Sequence, residues 1–231
     1  MRRALIAALV AAVVGCAVVT AAQQAVVVPL ILKAETFEDA APKAEPQAHS
    51  HAPGTPADHH HDADAWSPAD GIERIAFTAL ANLGVSLGFA LLLVAGFTLA
   101  GREVDGQKGL LWGAAGFACF TLAPTLGLPP ELPGSVAAAV GPRQVWWFGT
   151  ALATGVGLAL IVFGRHVALK ILGVAAIVIP HVVGAPHPPA GEAGGVPPEL
   201  AAQFAVLSLA VAALFWGVLG WVSGTVWRKA S

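Results

Sequence analysis

The chain has 231 residues, of which 56% are hydrophobic and 11% charged, with a formal net charge of −2. Soluble domains carry roughly 25% charged residues, so this composition excludes an ordinary soluble protein and points to an all-α integral membrane protein. The near-neutral balance, with no basic patch, excludes nucleic acid as a partner, and only two cysteines, Cys16 and Cys119, occur, both in apolar runs, so there is no disulfide framework.

Six apolar stretches follow one another, each close to the roughly 20 helical residues that cross a hydrocarbon core. They run from Ala4 to Leu32, Ile72 to Ala100, Gly109 to Leu128, Gln144 to Gly164, Leu169 to Ala185 and Leu200 to Trp227, the fifth being the shortest. Arg2 and Arg3 ahead of the first stretch, with "TAAQQ" after it, resemble a secretory signal. The apolar run continues through "AVVVPLIL", however, so an uncleaved span is expected.

Loop charge sets the count and the orientation, because Lys and Arg near span ends stay on the cytoplasmic side. Six spans put Arg2, Arg3, Arg102, Lys108, Arg165, Lys170, Arg228 and Lys229 on one side, and Lys33, Lys43, Arg74 and Arg143 on the other. The expectation is a bundle of about six transmembrane helices with both termini cytoplasmic and the first loop facing outward, which in a bacterium means the periplasm. It divides into a first helix (1–32), a periplasmic loop (33–71) and five further spans (72–231).

The outer loop is the only substantial extramembrane segment. Its "HSHAPGTPADHHHDAD" at 49–64 holds five histidines and three aspartates in sixteen positions. Imidazole suits zinc, cobalt, nickel and copper, and neighbouring carboxylates attract a cation. His49, His51, His59, His60 and His61, with Asp58 and Asp62, are therefore candidate ligands on a segment expected to be disordered, the alternative being a solvated linker that is merely His-rich.

Gly84/Gly88, Gly109/Gly113 and Gly220/Gly224 have GxxxG spacing, which lets helix backbones approach closely in lipid. Trp146 and Trp147 at one membrane boundary, and Trp112 and Trp227 at the other, form an aromatic belt. "PPEL" recurs at 129–132 and 197–200, which suggests duplicated hairpins.

No Asp, Glu, Lys or Arg lies deep in any span, and His181 is the ionisable group nearest the interior. In "IPHVVGAPHPP", Pro180 precedes His181 and Pro186 precedes His187. The prolines are expected to break the outer end of the fifth span and free carbonyls beside two imidazoles, although an interfacial histidine next to a helix-ending proline reads equally well. Glu131 and Glu199 lie on the same outer face as possible completing carboxylates. Gln23, Gln24 and Asn82 are deeper polar candidates, either for replacing part of an ion's hydration or simply for bonding helix to helix. No phosphate-binding loop, HExxH or GxSxG is present, so no enzyme class is indicated and no bound organic cofactor is expected.

The series "QQAVVVPLILKAETFE", "AWSPADGIERIAFTALANL", "GREVDGQKGLLWGAAGF", "LAPTLGLPPELPG", "RQVWWFGTALAT", "PHVVGAPHP" and "VPPELAAQFAVLSLAVAALFWGVLG" resembles the cobalt transporter subunit family CbtA along essentially the whole chain. The resemblance implies uptake of Co2+ as substrate, a link to cobalamin synthesis, and a small single-span partner subunit, CbtB. That family has usually been given five spans, one fewer than the charge pattern yields. The expected function is divalent cobalt uptake, with the His-rich loop capturing the ion and the His181/His187 region passing it inward. A membrane-anchored metal-binding or sensing subunit of another permease, or a nickel or zinc transporter, is the alternative.

Overall fold

The computed structural model describes residues 1–40, 68–69, 71–101, 103–188 and 194–230. The loop residues His49, His51, Asp58, His59, His60, His61 and Asp62 lie outside the described residues.

Six helical rods account for most of the chain. The first is α1 (Arg2–Ala22), a π-type turn (Gln23–Val27) and α2 (Val28–Ala40) in one line; the second is α3 (Ile72–Ala100). The third joins α4 (Gly106–Phe117), a second π-type turn (Ala118–Leu122) and α5 (Ala123–Thr125), and α6 (Val140–Phe163), α7 (Val167–Val183) and α8 (Pro198–Lys229) complete the set. No strand occurs among the described residues. Four rods are long and apolar enough to cross a membrane: Arg2–Phe37, α3, α6 and α8; α7 is apolar but has 17 residues. Each predicted stretch falls on one rod. The first helix outruns its apolar boundary at Leu32 and continues to Ala40.

Both π-type turns sit just ahead of a proline, Pro29 in the first rod and Pro124 in the third. A proline ring lacks an amide proton and clashes with the carbonyl four residues back. Widening the preceding turn to an i→i+5 pattern relieves that clash without breaking the rod, and the amide of Val28 bonds the Gln23 carbonyl, that of Ala123 the Ala118 carbonyl. Gly101, at φ 60°, ends α3 in the left-handed conformation that glycine adopts without strain.

Small residues fill the buried face of α1, large aromatics such as Phe97, Phe215 and Trp216 fill the core beside it, and many large aliphatic side chains lie on the exterior. Ala7, Ala8, Ala11 and Ala12 of α1 are completely buried, whereas Leu80, Leu152 and Val182 face outward. α8 is the hub, packing most extensively against α4 and α1, while α1 also packs along α3. At the α4–α8 crossing two predicted glycine pairs meet. A Cβ on Gly220 would come within 2.3 Å of the Gly109 carbonyl, and one on Gly113 within 2.2 Å of the Trp216 carbonyl. The third pair behaves differently, with nothing within 4 Å of a Cβ placed on Gly84 or Gly88. α6 and α7 form their own hairpin through facing Gly157 and Gly173, attached to the rest chiefly beside the second π-type turn.

The rods alternate in direction. At one end the Arg3 guanidinium lies 3.8 Å over the Trp227 ring, joining the start of α1 to the end of α8. Asp105 caps α4 there by accepting a 2.9 Å bond from the Lys108 amide. That bond, helped by the charges of Lys108 and Arg228, holds its carboxyl below the usual range. Phe37, Gly134 and Gly194–Gly195 approach one another at the opposite end. The two "PPEL" copies differ in structure, the first being an irregular connection and the second running into the first turn of α8.

Candidate functional site

His181 occupies the last turn of α7, half-buried, with its ring edge-on to Trp146 at 5.9 Å between centroids. The helix does not break at Pro180 as expected from the sequence. It runs on to Val183 and ends where Gly184 takes φ 87°. The Pro180 carbonyl is also engaged, accepting from Trp146 Nε1 at 3.2 Å and from the Gly184 amide at 3.0 Å. One proline can be tolerated here because α7 packs almost wholly on α6, which leaves room on its other face.

His187 is exposed beyond the helix end, and Glu199 is exposed in the first turn of α8, where the helix dipole favours an acid. Glu131 pairs with Arg143 at 2.7 Å. Among the described residues no three His, Cys, Asp or Glu side chains group as a metal site. Freeing Glu131 by Arg143→Ala should cost well under about 1 kcal/mol, the usual worth of such a partly exposed pair. If Glu131 serves as a ligand, the same change should tighten cobalt binding, measured by titration of the purified protein.

The polar groups that do converge are in the bundle interior. Asn82 of α3 uses both amide protons across to the first rod, donating to Gln23 Oε1 at 2.7 Å and to Thr20 Oγ1 at 3.0 Å. One turn further along α1, Cys16 donates to the Ala79 carbonyl at 3.3 Å. Beside the Asn82 pair lies a cavity of about 220 Å3 between α1, α3, the second π-type turn and α8, with Gln23, Asn82, Ser86, Thr121 and Ser208 as its polar lining. Ser86 is fully buried and its Oγ has no hydrogen-bond partner. Thr121 Oγ1 accepts a 3.2 Å bond from Trp216 Nε1. None of the lining residues is ionisable.

A second, larger cleft of about 460 Å3 lies between the first rod and the start of α3, lined by Gln24, Ile31, Gly71, Arg74 and Thr78 among others. Gln23 and Val27 line both spaces. Arg74, which borders this cleft, forms a two-pronged ion pair with Glu35 of α2. The helices that flank this cleft, α2 and α3, are the elements that precede and follow residues 41–67 in the sequence.

The sequence pointed to Gln23 and Asn82 as polar groups but did not bring them together, and it did not single out Ser86, Thr121 or Ser208. The available signal was the proline inside the first and the third apolar stretch, ahead of which the helix widens, although Pro180 in the fifth is accommodated without widening.

A helical bundle with an apolar outer surface and four rods long enough to cross a bilayer has the make-up of a membrane protein. The chain belongs to the CbtA family, described as a probable cobalt transporter subunit, the match covering residues 1–228. Compared with curated proteins and with solved structures, it finds no match.

Proposed function

We propose that this chain carries divalent cobalt inward across the bacterial inner membrane, with both termini cytoplasmic. His49, His51, His59, His60 and His61, with Asp58 and Asp62, gather ions outside and deliver them between α2 and α3. The observation that supports this reading is the cleft between the first rod and α3, the helices on either side of the histidine-bearing segment in sequence, which shares Gln23 and Val27 with the neighbouring cavity. A run of neighbouring imidazoles captures a divalent ion without a prescribed geometry, so the loop concentrates metal and leaves discrimination to the bundle. Nickel and zinc fit the same ligands. CbtB is the partner expected beside it.

A second route runs through His181 and His187, with Glu131 and Glu199 nearby. Its support is the half-burial of His181 against Trp146. A third possibility is a subunit that only holds metal for another permease.

Uptake of radiolabelled cobalt into cells lacking their own importer separates these readings. Alanine at all five loop histidines should raise the cobalt concentration for half-maximal uptake by roughly tenfold, through loss of local enrichment, while the maximal rate survives. Loss of the maximal rate in His181→Ala would shift the route to α7. No uptake by any form, with or without the partner, while the purified protein binds cobalt would leave a binding subunit.

A further inference from the structure

We propose that the basic cluster where α1 begins and α8 ends, Arg2, Arg3, Arg228 and Lys229 around Trp227, seats the phosphate of an anionic phospholipid of the phosphatidylglycerol type from the leaflet at that end of the bundle. The inference needs only that the bundle lies in a membrane, and it is independent of what the bundle carries. The two ends treat their basic residues differently. Where α3 and α6 begin, Arg74 is paired with Glu35 and Arg143 with Glu131. Among the described residues of the other end, none of Arg2, Arg3, Arg228 and Lys229 forms an ion pair. Asp105, whose carboxylate feels Arg228, is turned to the α4 amides, accepting from that of Lys108 at 2.9 Å. It offsets only one of the four charges.

The cluster is also held in shape. Arg3 is half-buried with its guanidinium 3.8 Å over the Trp227 ring, and that ring stands edge-on to Phe97 of α3 at 5.9 Å. Three helices therefore fix the plane of one guanidinium. A planar, pinned guanidinium offers paired N–H donors to two phosphate oxygens and loses little rotamer freedom on binding. α1 has no acid in its first turn and no side-chain cap, so the positive end of its dipole adds to the same field. Arg228 and Lys229 are exposed in the last turn of α8.

What lies beside the charge selects a lipid over a soluble phosphate. Leu5 and Leu9 are 60% and 58% exposed and share a face of α1 with Arg2, about one and two turns further along the helix. A headgroup at Arg2 and Arg3 thus has apolar surface directly beneath it for an acyl chain. Phosphatidylglycerol brings a phosphodiester charge with no amine to cancel it, whereas a zwitterionic headgroup carries a cation that this cluster repels.

The test uses the full-length protein purified in neutral detergent, with no cobalt present, and follows lipid retention by native mass spectrometry as phosphatidylglycerol or phosphatidylcholine is added. One phosphatidylglycerol should be retained in preference to phosphatidylcholine. Arg3→Gln should weaken its retention about fivefold, the effect of one basic charge near a membrane surface. Arg3→Lys and Trp227→Leu leave the charge as it is but lose the pinned guanidinium, and each should weaken retention by a similar factor. Arg3→Lys removes nothing from the core, so it decides the matter should Trp227→Leu fail to fold. Arg143→Gln, at the opposite end, should change nothing. No preference for phosphatidylglycerol, or retention indifferent to Arg3→Lys, would mean a diffuse positive field and overturns the proposal. An equal loss in Arg143→Gln, or displacement of the lipid by millimolar glycerol phosphate, overturns it too, the latter by making the cluster a site for a soluble phosphate ester. Retention is measured without metal, so failure of the uptake reading leaves this result standing.

Discussion

Gly220→Val should destabilise the bundle by about 3 kcal/mol, the upper end of what overpacking costs. The reason is the identity of the neighbours: a Cβ at 220 would lie 2.3 Å from the Gly109 carbonyl oxygen and 2.8 Å from the Gly113 Cα. Both are backbone atoms of α4 and cannot rotate aside as a side chain can, so the two helices must separate along their whole crossing. In lipid, with no hydrophobic drive between helices, that separation forfeits the close packing that holds them. Gly84→Ala and Gly88→Ala make the control. Open space surrounds both positions, so these changes should be neutral, or stabilising by up to about 1 kcal/mol through helix propensity. Unfolding midpoints in mixed micelles would resolve the contrast. Equal losses at all three glycines would show that the spacing matters regardless of what it faces.

Trp216→Ala should cost about 3–5 kcal/mol, as large-to-small changes at buried aromatic positions do. Trp216 is 2% exposed and stacks on Phe120 at 5.8 Å and 10°, with Phe89 at 4.6 Å on another side. Gly116 is a glycine because a Cβ there would strike the indole at 2.2 Å. Trp216→Phe keeps a ring in this stack and loses mainly the bond to Thr121, about 1 kcal/mol. Comparing the two variants by thermal unfolding separates packing from the hydrogen bond. A loss in Trp216→Phe close to that of the alanine variant would mean that the bond to Thr121 matters more than the stack.

The sequence and the structure agree where periodicity and composition act locally. Apolar length gave six rods, and GxxxG spacing marked Gly109, Gly113, Gly220 and Gly224 as places of close approach without saying that they meet each other, as they do at the α4–α8 crossing. The same spacing at Gly84 and Gly88 has no counterpart across from it, since spacing reports that a helix can approach a neighbour and not which neighbour is there. Pro180 shows the opposite limit. A proline was read as a break, yet α7 absorbs it because its outer face is unencumbered, whereas Pro29 and Pro124 are absorbed by widening the preceding turn. The partnership of Gln23 with Asn82, 59 residues apart, depends on which rods lie side by side, and no local pattern encodes that. Ser86, Thr121 and Ser208 look like ordinary hydroxyls in apolar helices until three rods and α8 bring them around one space.

The position of α8 in the chain sets the timing of assembly during synthesis. α8 is the helix against which α4 chiefly packs, and it shares α1 equally with α3; of the six rods it is the last to be synthesised. Roughly a hundred residues separate the end of α4 from the end of α8, which at 5–20 residues per second is on the order of 5–20 s. Through that interval the glycine face of α4 is in the bilayer without its main partner, and α1 has α3 beside it but not α8. The α6–α7 hairpin, closed on itself through Gly157 and Gly173, needs no such wait. Biogenesis thus proceeds with a finished hairpin standing beside an unfinished core, and a truncation before residue 198 leaves the α1–α3 pair and the α6–α7 hairpin without the helix that joins α4 to α1.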